Sequence, residues 1–206
     1  MTYDEIWLLA INQGWHHPLV DALMVWLSSR WTFSIPLLFA LLWHAWRTAG
    51  GAGVRVWLVL ALAVGAGDAV GNLAKDLVGE PRPCAVMAEA LLAPGGGPLG
   101  TCGGSIATGM PSSHALNFFL VATLLALLTP WRRWQLAMLV VAVGVALSRI
   151  YLGKHYPSQV AAGALIGMGL GMLVGGAACY YRWCLDPRPM RRARAAGGSA
   201  HSTDDR

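Results

Sequence analysis

The chain is divided into long apolar runs that carry almost no charge, and its arginines gather at alternate breaks between those runs. A helix needs about 20 apolar residues to cross a bilayer, and runs of that length recur through the sequence. Hydrophobic residues make up 56% of the 206 residues and charged residues only 12%, a balance too apolar for an ordinary soluble domain. The predicted fold class is therefore all-α, a polytopic membrane helix bundle.

About five crossings are expected. The first runs from about Trp31 to Trp46, short by itself and extended by the segment from Pro18 to Leu27. The others run over Val54 to Val78, Ser112 to Leu128, Trp131 to Ile150 and Pro157 to Tyr181, with Pro130 marking the turn between the third and fourth. Residues 1–17 carry Trp7, Leu8 and Ile11 and read as a helix lying at the membrane interface. Asp4 and Glu5 argue against a cleaved signal peptide there. Residues 1–185 are expected to form one membrane domain, with 79–111 as its outer loop and 186–206 as a basic, disordered cytoplasmic tail.

The formal charge of +5 raises the question of nucleic acid, and its placement answers it. Ten of the fifteen Lys and Arg, among them Arg47, Arg55, Arg132, Arg133 and Arg182, lie beside alternate span ends. That is the positive-inside pattern of a membrane protein, and no nucleic-acid partner is expected. It sets the loop 47–55, the turn at 132–133 and the tail inside. The amino terminus, the loop 79–111 and the turn 151–156 then fall outside.

Three short motifs collect on that outer side. Lys75 to Pro83 (KDLVGEPRP) supplies two cations at the end of the second span, with Arg82 held between two prolines. Fixed cations stabilise the charge that spreads over a phosphoryl group in transfer; Arg82 can take two oxygens, whereas Lys75 is a compact point charge. Pro111 to His114 (PSSH) opens the third span. Ser112 or Ser113 suits the N-cap, the first-turn N–H groups form an anion site, and His114 in that turn can give a proton to an ester oxygen. Ser148 to Gln159 (SRIYLGKHYPSQ) ends the fourth span with Arg149 and opens the fifth with His155, and Gly153 and Pro157 make a tight turn between them. Gln159, four residues after His155, can share its helix face. Asp68, Asn72 and Lys75 form a stripe in which Asp68 reads as support for Lys75. His16 and His17 read as interface residues.

The outer loop is rich in glycine and proline and reads equally as a lid or as a solvated connection. It carries Cys84 and Cys102, which in an oxidising compartment can form a disulfide.

Taken together, the three motifs resemble those of the type 2 phosphatidic acid phosphatase (PAP2) family of integral-membrane lipid phosphatases, over roughly residues 50–182. The family pattern K-x6-R-P is complete at Lys75, Arg82 and Pro83; P-S-G-H becomes PSSH, with Ser113 in place of glycine. S-R-x5-H-x3-D keeps Ser148, Arg149 and His155 but ends in Gln159. The resemblance implies a phosphatase that works without a metal or other cofactor. In it His155 would be the nucleophile, His114 the acid for the leaving group, and Lys75, Arg82, Ser112, Ser113 and Arg149 the phosphate binders. Gln159 would stand where an aspartate orients the nucleophile. A glutamine oxygen can accept the imidazole N–H but cannot neutralise it, and its amide can flip, so slower turnover and a gain on Gln159→Asp are expected.

The expected protein is a lipid phosphatase of a bacterial inner membrane acting on the outer face, with undecaprenyl diphosphate the first substrate to try. Phosphatidic acid, phosphatidylglycerol phosphate and lipid A phosphates also suit the motifs. Two further readings fit these residues: a lipid phosphotransferase, and a non-catalytic lipid-phosphate binder, for which Gln159 is the argument. Nothing in the sequence fixes the oligomeric state.

Overall fold

In the computed structural model, which describes residues 1–100 and 108–185, the longest helix is bent double. This helix, α3 (Ile35–Val78), breaks at Gly50, where φ is 53° and ψ −133°, a backbone open to a residue without Cβ. The chain reverses there. A methyl group at Gly53 would lie 2.0 Å from the Ala45 carbonyl oxygen, and Trp57 Nε1 donates to the Leu38 carbonyl at 2.9 Å. Nineteen residues of straight helix would hold those last two about 28 Å apart. The arms 35–49 and 51–78 therefore form a hairpin, matching the two separate crossings expected there.

The remaining helices are α1 (Tyr3–Gly14), α2 (Pro18–Leu27), α4 (Pro83–Val86), α5 (Ser113–Leu128), α6 (Arg132–Tyr151) and α7 (Pro157–Tyr180). A π-helical turn, Arg30–Ser34, leads from α2 into α3, and a 3-10 turn follows α4 at Ala88–Ala90. The stretches 30–86, 132–151 and 157–180 are long and apolar enough to cross a membrane, and the first is the hairpin of double length. At 16 residues α5 is shorter, and it is the core of the bundle: Leu116, Leu120, Leu124, Leu125 and Leu128 are at most 1% exposed.

A stripe of glycines, Gly163, Gly167, Gly171 and Gly175, brings α7 onto α5. A methyl at Gly163 would lie 2.5 Å from the Ser112 carbonyl oxygen, and one at Gly167 would lie 2.1 Å from that of Leu116. Small residues every fourth position let helix backbones approach this closely.

The amino-terminal helices cover the end of the bundle where α6 leads into α7. Asn12 of α1 is buried; its Nδ2 donates to the Tyr151 carbonyl at 2.7 Å, and its Oδ1 accepts from the Leu92 amide at 2.8 Å. The Asp21 carboxylate of α2 accepts from the Tyr151 hydroxyl and from the Gly95 amide at 2.9 Å, and meets His16 Nδ1 at 3.1 Å. His16 is thus held in a polar cluster rather than lying free at an interface. Cys84 is buried and disulfide-bonded. Cys102, in the segment 101–107, and the basic tail 186–206 lie outside the described residues.

Candidate active site

Every motif residue lies at one end of the bundle, because antiparallel helices deliver the end of α3, the start of α5, the end of α6 and the start of α7 to the same place. The segment Glu80–Arg82 and the residues Thr108–Gly109 run side by side across this end. Gly109 N donates to the Glu80 carbonyl at 2.7 Å, and Arg82 Nε donates to the Thr108 carbonyl at 3.3 Å.

His155 is 2% exposed and leans on this pair of segments. Its Nδ1 lies 2.8 Å from the Gly109 carbonyl oxygen and 3.3 Å from Gln159 Oε1. Both neighbours are acceptors, so Nδ1 carries the proton and Nε2 is left with the lone pair. Burial, followed by the Arg149 and Arg82 guanidiniums, pushes the imidazole down to about 3. The ring is therefore neutral at physiological pH.

Gln159 is fully buried, and its amide is fixed at both ends. Nε2 donates to the Pro81 carbonyl at 2.9 Å and Oε1 accepts from the Tyr156 amide at 3.2 Å. A flipped amide would set oxygen against oxygen at Pro81 and N–H against N–H at Tyr156, so the flip expected from sequence has no room here. The Gln159 carbonyl also accepts from the Ser112 amide at 3.1 Å, which ties the start of α7 to the start of α5.

Lys75 donates to the Ser113 hydroxyl. Asp68 acts on Lys75 by charge, without a direct hydrogen bond among the described residues, and its Oδ1 accepts from Asn117 Nδ2 at 2.7 Å. Ser112 occupies the N-cap as expected, yet its hydroxyl makes no capping bond. Ser112 Oγ and Arg149 Nε are buried with no hydrogen-bond partner among the described residues. Buried polar atoms are nearly always satisfied, and these two are donors of the kind an anionic ligand would occupy. Lys154 adds another cation, its ammonium lowered by burial and then by Arg149 and Arg82.

Sequence reasoning missed one wall of the site. Ser28, just after α2, takes a hydrogen bond on its hydroxyl from Arg149 Nη1, and its backbone meets the His114 ring. Arg30 follows two residues later. Beside His114 opens a cavity of about 250 Å³, polar at Arg30, Ser113 and Asp68 and apolar toward Leu41, Val121 and Met138. The signal available in the sequence was Ser28-Ser29-Arg30 (SSR) at the head of an apolar run.

Residues 56–180, more than half of the chain, match the family model of the PAP2 superfamily. The chain belongs to that superfamily. Over 58 residues it is 45% identical to the bacitracin transport permease protein BcrC of Bacillus licheniformis, a match covering 28% of each chain. Over 59 residues it is 41% identical to the lipid A 4'-phosphatase of Bacteroides thetaiotaomicron, covering 29% of this chain and 26% of that one. These matches thus span just over a quarter of the curated relatives. In fold this PAP2 chain is similar to Aquifex aeolicus LpxE, with a TM-score of 0.61 and 23% identity over 84% of this chain and 95% of that one. It is equally similar to the PAP2-type phosphatidylglycerolphosphate phosphatase of Bacillus subtilis: TM-score 0.61, 20% identity, 85% and 86% covered. With its apolar helices and this family membership, it is a multi-pass membrane protein.

Proposed function

We propose that this chain is a lipid phosphatase that cleaves a phosphomonoester or diphosphate through a phosphohistidine. The observation that carries the reading is the state of His155: its Nδ1 proton is engaged by the Gly109 carbonyl, its ring is neutral, and Arg82 and Arg149 stand close enough to shift it.

Nε2 of His155 attacks phosphorus, and the bond from phosphorus to the lipid oxygen breaks. His114, which takes up a proton as the anionic substrate offsets the cations Arg149, Arg30 and Lys75 around it, gives that proton to the oxygen. The Gly109 carbonyl keeps Nδ1–H in place while the His155 ring carries positive charge. A water oxygen then attacks phosphorus as His114 takes its proton, the phosphorus–nitrogen bond breaks with its electron pair returning to Nε2, and phosphate and neutral His155 result. Lys75, Arg82 and Arg149, with Ser112 and Ser113, hold the phosphoryl oxygens as charge spreads over them.

Gln159 acts in this reading as a positioning residue. No metal or other cofactor is required by these steps, and no nucleic acid takes part. The placement of arginines supports a bacterial inner-membrane protein with the site on the periplasmic or outer face and the carboxyl terminus in the cytoplasm. Undecaprenyl diphosphate and phosphatidic acid are the two substrate types to try.

The test is phosphate release by the detergent-purified protein in EDTA across a panel of lipid phosphates, with His155→Ala as the blank. Release that the variant abolishes is the expected result. Equal release by both proteins, or none from any lipid, would overturn the reading.

A further inference from the structure

The cavity beside His114 has one cation on its wall. Lys75, Arg82 and Arg149 do not line it; among the described residues Arg30 does, together with Ser113, His114 and Asp68. The Arg30 side chain is exposed and makes no hydrogen bond or ion pair among the described residues. Its place is set by Ser28, two residues earlier, which bonds Arg149 and meets His114. Arg30 thus lines the cavity on the acid's side, whereas Lys75 and Arg149 act on His114 without lining it, Lys75 through its bond to Ser113 and Arg149 through its bond to Ser28.

This inference rests on the phosphatase reading above. If His114 protonates the departing oxygen, the departing lipid occupies the cavity that His114 lines. Its chain then lies along the apolar floor toward Leu41, Val121 and Met138. Asp68 lies seven residues before Lys75, about 10 Å deeper along α3, and is engaged by Asn117. What meets Arg30 is the part of the leaving group next to the broken bond.

We propose that Arg30 reads a second phosphate there, so that the site prefers a lipid diphosphate to the monophosphate of the same chain. With a diphosphate, His155 Nε2 attacks the terminal phosphorus and the bond to the bridging oxygen breaks. That oxygen takes the His114 proton and leaves as a lipid monophosphate. The guanidinium fork suits two of its oxygens and offsets the charge gathering on it. A monophosphate substrate leaves as a neutral alcohol and gives Arg30 nothing to hold.

Dodecyl diphosphate and dodecyl monophosphate separate the two cases. Arg30→Gln is expected to lower kcat/KM for the diphosphate about 10- to 100-fold, the usual effect of losing one charge-assisted contact, and to change the monophosphate less than about threefold. Arg30→Lys should recover part of the loss. A second measurement keeps the question open to refutation if turnover fails: affinity for the same two ligands, measured in the non-turning His155→Ala protein with and without Arg30→Gln. Equal losses for both ligands, or none for either, would make Arg30 an anchor to bilayer headgroups and overturn the proposal. A wild-type protein that binds the diphosphate through Arg30 yet releases no phosphate would instead overturn the phosphatase reading alone.

Discussion

The carbonyl oxygen of Gly109 lies 2.8 Å from Nδ1 of His155, nearer than the side chain of Gln159 at 3.3 Å. The stronger hold on the ring therefore comes from the main chain. A Cβ at position 109 would lie 2.6 Å from both Gln159 Nε2 and the Pro81 oxygen. Gly109→Ala must push that carbonyl away, and misplacing a catalytic group by about 1 Å can cost roughly 100-fold in rate. Phosphate release by the variant, with a melting curve in detergent to show that it folds, checks this; wild-type turnover would sink it.

Gln159 contributes through three polar contacts, and aspartate reproduces them poorly. The shorter carboxylate cannot donate to the Pro81 carbonyl and would set like oxygen charges together there. The geometry thus reverses the gain expected from sequence: Gln159→Asp should lower turnover, by about tenfold if one net hydrogen bond is lost from the supporting frame. A rise in kcat on that substitution would show that charge matters more than placement.

Ser112 gives opposite signs for binding and stability. Its hydroxyl is buried and unpartnered among the described residues, so Ser112→Ala removes an unsatisfied group and should leave the melting temperature unchanged or raised. The same change removes a donor to phosphate and should raise KM by up to about tenfold. A fall in melting temperature with KM unchanged would place the hydroxyl in the scaffold instead.

The pH behaviour of His155 follows from a pKa pushed down to about 3. A lowered pKa means that the ring holds no second proton at any pH well above that value. Acidifying the phosphate-free protein from pH 8 to pH 5 should therefore leave His155 neutral, protonated at Nδ1 alone. Bound phosphate offsets the guanidiniums and should raise the pKa. Nitrogen spectra of labelled histidine, assigned by subtracting those of His155→Asn, follow this directly; a midpoint near 6.5 without phosphate would contradict it.

The side chains proposed to carry the chemistry stand out in the sequence. Lys75, Arg82, His114, Arg149 and His155 are charged or titratable groups at the ends of apolar runs, where burial charges are costly without a use, and their spacing carried the family pattern. The crossings 31–46 and 54–78 were legible too, although Gly50 folds them as one interrupted helix. Main-chain contributions were not. The Gly109 and Pro81 carbonyls have no side-chain signature, and their roles exist only once residues 80–82 and 108–109 lie against the start of α7. Ser28 and Arg30 escaped for a related reason: they reach the site through the path of the chain between α2 and α3, which no spacing rule reports. The amide of Gln159 was misjudged because its orientation depends on partners from two other segments.

The glycines of α7 act as a gauge for chemistry that takes place elsewhere. His114 lies in the first turn of α5 and His155 two residues before α7, so their separation depends on how closely those helices touch at Gly163 and Gly167 as well as on the bond from Ser112 to Gln159. Widening that contact by a single methyl would open the jaw of the site without altering one residue inside it. Substrate size in such a scaffold can thus be adjusted from the shaft, leaving the cutting edge intact.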